Sequence, residues 1–131
     1  MSIERDYLMR QLMQLFDVLR KIFGHREKGE IEEAESQIRY FYSLLKIEKD
    51  VRNLTIEELL PLLQEKKKFT NEQIELFAFV LKEQGELAKT ENDRLNFFRK
   101  AHFLLDKVEG ESIVFSMDRQ MKLAELQAYL N

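Results

Sequence analysis

The 131-residue sequence predicts an all-α protein of five to six helices folded as antiparallel hairpins. Three observations carry that expectation. Apolar side chains recur every three to four residues from end to end, the spacing of one helix face, without the alternation of a strand. Four glycines and one proline are too few for the tight turns of a sandwich or barrel. Hydrophobic residues at 44% supply a core, and charged residues at 34% keep outer faces in water, which argues against a disordered chain.

The first helix is expected over Ile3 to Phe23, closed by Gly24 as a left-handed cap. Leu8, Leu12, Leu15, Leu19 and Ile22 form one stripe along it. Met9, Met13, Phe16 and Phe23 form a second stripe, interrupted by Arg20. Two stripes make a face wider than a surface helix needs. Either two neighbouring helices bury it, or part of it docks a second copy or a partner. The second helix is expected from Ile31 to Ile47, with Ile31, Ala34, Ile38, Phe41, Tyr42 and Leu45 inward. Its early glutamates suit the positive end of the helix dipole.

Thr55 and Glu58 have the spacing of a capping box that opens a short helix from Ile56 to about Lys66. Pro61 inside it removes a backbone donor and predicts a kink or a break. Thr70 and Gln73 repeat the box before a helix from Asn71 to Ala88, whose inner face is Ile74, Phe77, Ala78, Leu81, Gly85 and Ala88. Its small residues predict close approach by another helix. Thr90 with Asp93 caps a fifth helix, expected to end at Val108 before Gly110, with Phe98, Ala101, His102, Leu105 and Val108 buried. A last helix from Ile113 to Leu130 would cover the end of the stack through Val114, Met117, Met121, Ala124 and Ala128.

Two motifs carry a resemblance. Asp6-Tyr7-Leu8-Met9-Arg10-Gln11 opens the chain, and Leu81-Lys82-Glu83-Gln84-Gly85 lies within the fourth helix. Gly29, Glu32 and Ala34, and the Leu-rich segment from Thr55 to Leu63, fit the same pattern. With these motifs the chain resembles an uncharacterised bacterial family of tetratricopeptide-like helical proteins over residues 4–108. The resemblance implies a right-handed stack of helical hairpins and brings no activity or ligand with it. Between Gly85 and Ala101 the chain is three residues shorter than a 34-residue repeat, and Arg94 stands where that repeat places a small alanine.

Composition and motifs narrow the function. The length fits a single domain over residues 1–131. A net charge of −3 lacks the basic surplus of a nucleic-acid binder, so no nucleic acid is expected as partner. The longest apolar run, Leu76 to Leu81, is far below a membrane span of about 20 residues, so no membrane partner is expected either. Without cysteine there are no disulfides, thiolate metal sites or thiol catalysis. The early acids of Met1-Ser2-Ile3-Glu4-Arg5-Asp6 differ from a secretory leader, and a cytoplasmic location is expected. The two histidines, His25 and His102, stand at no helical metal spacing, and no phosphate loop or nucleophile elbow occurs. Catalytic residues, cofactor and metal are therefore all expected to be none, and the protein is not expected to be an enzyme. An interaction module for an unidentified protein or peptide fits best. Repeat geometry carried onto the fourth helix points Phe79, Lys82, Glu86 and Lys89 into a partner groove. The alternative is a homo-oligomeric structural protein that self-associates through the wide face of the first helix.

Overall fold

The computed structural model describes residues 3–131. These form six α-helices with a 3₁₀ turn and a π turn, and there is no strand among the described residues. The chain divides into two compact units, Met1–Lys49 and Asp50–Asn131.

The first unit is a hairpin of α1 (Ile3–Glu27) and α2 (Ile31–Leu45). Gly24 does not end α1, as the sequence suggested. The Lys28 amide still donates to its carbonyl, and the left-handed residue is Gly29, with φ +77°. His25 and Arg26 suit the negative end of the dipole, so another turn of helix is favourable. The Glu30 amide then donates to the His25 carbonyl at 2.8 Å, and the two side chains meet at 2.8 Å from Nδ1 to Oε1. α2 buries Ala34, Ile38, Phe41 and Leu45 as expected, while Ile31 stays half exposed. It ends two residues earlier than expected, at Lys46 in the left-handed region, whose amide closes onto Ser43 O. Gln14 Nε2 donates to Tyr40 Oη across the hairpin. α1 buries Leu15, Val18, Leu19 and Ile22.

The second unit opens with a 3₁₀ turn, Val51–Asn53, capped by Asp50. Asp50 accepts from the Arg52 amide and takes both Nε and Nη2 of the same guanidinium. Those hydrogen bonds hold its carboxyl below the usual carboxylate range. The stability it contributes is present above the unfolded pKa of about 3.8 and is lost as pH falls through the lowered folded value. α3 (Ile56–Pro61) carries the Thr55–Glu58 capping box, each partner receiving the other's amide. At Pro61 the α-helix gives way to a π turn, Leu62–Lys66. A ring without an N–H excuses one ladder bond, and the ladder resumes one residue wider, with Lys67 N donating to Leu62 O.

α4 (Asn71–Leu87), α5 (Glu91–Glu111) and α6 (Met117–Leu130) run down, up and down beside one another. The Thr70–Gln73 box starts α4 and Thr90 caps α5 through the Asp93 amide, both as expected. α5 continues past Val108 and through Gly110 rather than stopping there. Phe98, Ala101, Leu105 and Val108 are buried, and His102 is half-buried. Lys100 is only 5% exposed, and its ammonium donates to the carbonyls of Val51 and Arg52 and to Asn96 Oδ1. Burial lowers its pKa, yet these acceptors match the three protons it carries. A side chain on α5 thus closes the carbonyl end of the 3₁₀ turn.

The sequence placed Val114, Met117, Met121, Ala124 and Ala128 on the inner face of the last helix. All five are exposed instead. α6 starts at Met117, capped by Ser116, and turns Arg119 and Leu126 inward. Arg119, 4% exposed, reaches Glu75 of α4 and Glu109 of α5, each at 2.6 Å, and the Val114 carbonyl at 2.7 Å. A buried charge with two carboxylate partners sets the rotation of α6 more strongly than a thin stripe of Met and Ala.

Gly85 is a place of closest approach. A Cβ there would lie 2.4 Å from two ring carbons of Phe98. That ring is 2% exposed and holds an edge-to-face contact with Tyr129 at 4.8 Å, so it has little room to retreat. Gly24 meets nothing within 4 Å. Gly85→Ala is therefore expected to destabilise by about 1–3 kcal/mol despite alanine's better helix propensity. Gly24→Ala is expected to stabilise by up to ~1 kcal/mol. Denaturant melts of the two variants beside the parent check both signs.

Candidate interaction surface

The four residues expected to face a groove do not share a surface. Phe79 is 4% exposed and Lys82 is 8% exposed, whereas Glu86 and Lys89 are open to solvent. The expectation of an exposed phenylalanine is corrected by α6. Lys122 Nζ sits 4.7 Å from the centroid of the Phe79 ring, and Lys82 Nζ pairs with Glu125 at 2.9 Å. α6 thus lies where a groove ligand would have lain. A signal for this was present in the sequence: Glu75, Phe79 and Lys82 on α4 match Arg119, Lys122 and Glu125 on α6, in the same order and nearly the same spacing.

Arg94 folds back onto the α4–α5 turn, where Nη2 donates to the Ala88 carbonyl at 3.4 Å. Its guanidinium pKa is raised, chiefly by a hydrogen bond with Tyr129. Tyr129 also donates to Glu91 and is raised by that bond first. These groups tie the end of α6 to the start of α5.

One open apolar stripe lies on α1. Met9, Met13, Phe16 and Phe23 are 52%, 69%, 48% and 50% exposed. Within the first unit, α2 leaves this second stripe open. The Arg26 guanidinium lies 5.4 Å from the centroid of the Phe23 ring. Arg20 lies in the stripe and is exposed, and Asp17 pairs loosely with Lys21 at 3.5 Å, both well exposed. A second open apolar group spans Ile113, Val114, Phe115, Met117 and Met121 around the start of α6.

The N-terminal half of α1 contributes a shallow cleft of about 330 Å³, lined by Tyr7, Arg10, Gln11, Gln14 and Leu44. Three of these belong to the opening hexapeptide. No group of three or more His, Cys, Asp or Glu that could hold a metal occurs among the described residues. Among those residues no helix is long and apolar enough to cross a membrane. Comparison with protein-family models, with curated proteins and with solved structures gives no match.

Phe79 is part of the packing, so its truncation acts on stability. Phe79→Ala is expected to cost about 3–5 kcal/mol. Thermal unfolding followed by far-ultraviolet dichroism checks this, and an unchanged midpoint would show that the ring is dispensable to the packing of α4.

Proposed function

We propose that this protein is a non-catalytic interaction module that docks its partner on the outward stripe of α1. One observation carries the reading: four large apolar side chains, at helical spacing on a well-formed helix, stand about half or more in water while Leu15, Leu19 and Ile22 of the adjoining stripe are buried. Single exposed apolar residues are ordinary, but four at helical spacing along one helix are the signature of helix-to-helix recognition. Methionines suit such a surface because their flexible side chains adapt to a partner. The groove reading on α4 has less support, since α6 fills that place.

The antiparallel hairpins α1–α2 and α4–α5 are the units that a tetratricopeptide-like stack repeats, and this supports keeping the likeness to the bacterial family within the proposal. The opening hexapeptide belongs to the same surface. It supplies Met9 to the stripe and Tyr7, Arg10 and Gln11 to the adjoining cleft. A cytoplasmic setting fits the absence of cysteine.

A photo-reactive amino acid placed at Met13 tests the reading in growing cells. Covalent adducts at Met13 are expected, well above the yield from the same group at Glu33, an exposed polar position on α2. Equal yields at the two positions would remove the stripe from consideration.

A further inference from the structure

We propose that the partner on this stripe is a second copy of the same chain, lying antiparallel, in a register where Asp6 faces Lys21 and Arg10 faces Asp17. The inference rests on the α1 docking surface above and adds its occupant and orientation.

Charge placement carries the argument. At about 100° per residue, Asp6, Arg10, Asp17 and Lys21 fall on one flank of the stripe, about 60–120° round the helix from Met9. All four are exposed. The other flank is the buried stripe of Leu15, Leu19 and Ile22, which is already covered. A parallel pair of α1 helices would set the charged flank of one copy against that covered flank of the other. An antiparallel pair sets charged flank against charged flank. When two antiparallel helices face one another, opposed positions have a constant sum. Asp6 with Lys21 and Arg10 with Asp17 give the same sum, so one register satisfies both pairs at once. The two-fold axis repeats them, giving four opposite-charge contacts.

Three of the four apolar residues of the stripe mesh in that register, while Phe23 falls level with position 4 of the other copy. The midpoint of the register falls between Met13 and Gln14, so Met13 meets its own copy. Met9 of one chain enters between Phe16 and Arg20 of the other, and Phe16 enters between Met9 and Met13. Arg20, the one cation within the stripe, comes level with Asp6 of the other copy to within one residue, about 1.5 Å along the axis. The residue that interrupts the stripe thus has an acid to meet.

Sedimentation equilibrium on the purified chain and its variants tests the inference. The parent protein is expected to form a concentration-dependent dimer. Arg10→Asp and Asp17→Lys each place like charges opposite one another at two symmetric sites, and each is expected to weaken dimerisation about tenfold or more. The double variant Arg10→Asp with Asp17→Lys restores both contacts and is expected to dimerise within about threefold of the parent. An equimolar mixture of the two single variants recovers dimer, because every 10–17 contact in the mixed pair is then opposite in sign. These positions are exposed, so dichroism should be unchanged throughout.

A parent protein that stays monomeric at millimolar concentration overturns the inference. So do single variants that dimerise as well as the parent, or a double variant as weak as either single one. Adducts at Met13 to another protein, combined with a monomeric parent, would overturn the second copy while leaving the α1 stripe as the docking surface.

Discussion

Arg119 occupies the place where three helices of the second unit come together. Its guanidinium is almost wholly removed from water, which would be costly were it alone, and it meets Glu75 on one side and Glu109 on the other. Burial opposes its charge, but hydrogen bonds to Glu109 and Glu75 more than offset this, and its pKa is raised. Gln120 adds a bond to the second oxygen of Glu109 at 2.5 Å. Replacing the guanidinium by an apolar chain would strand two carboxylates, a loss larger than that of most single contacts. The direction in which α6 presents every other side chain follows from this one anchor. Lys122 comes to lie over Phe79, Glu125 reaches Lys82, and Met117 and Met121 turn to water.

That anchor also explains which parts of the fold were legible in the sequence. The starts of α3, α4 and α5 were clear, because Thr55, Thr70 and Thr90 announce them through short-range hydrogen bonds that need no tertiary partner, whereas α6 was expected from Ile113 and begins four residues later, behind Ser116. The break at Pro61 was clear for the same reason. Helix ends were less so. Gly24 and Gly110 looked like caps, yet both lie inside helices, since a glycine permits a left-handed turn without demanding one. Only Gly29 uses that freedom. The facing of α6 was misread because apolar periodicity assumes that burial follows hydrophobicity. Here an ion network outweighs a stripe of Met and Ala.

The candidate surface was half legible. The double stripe on α1 is plain in the spacing of Leu, Met and Phe, but spacing cannot say which stripe another helix covers. The structure divides them, burying Leu15, Leu19 and Ile22 of the leucine side, leaving Leu8 exposed, and leaving the Met and Phe side open. Phe79, by contrast, was judged from its own helix alone. Its fate depended on a segment some forty residues further along, which is the kind of relation that local periodicity does not record. The charges on α1 have an analogous logic. An acid or a base on an exposed helix means little singly, but a pattern that reads as its own complement when reversed is a property of the whole segment.

Gly85 and Phe98 share one small volume, and neither can grow while the other keeps its size. Over long divergence that constraint leaves a trace. A descendant with a larger residue in place of the glycine would have to carry a slimmer one in place of the ring, and the reverse exchange would be equally bound. The two sites should therefore drift as a pair, giving distant kin of this chain a two-letter mark by which the spacing of the fourth and fifth helices could be inferred before any coordinates were known.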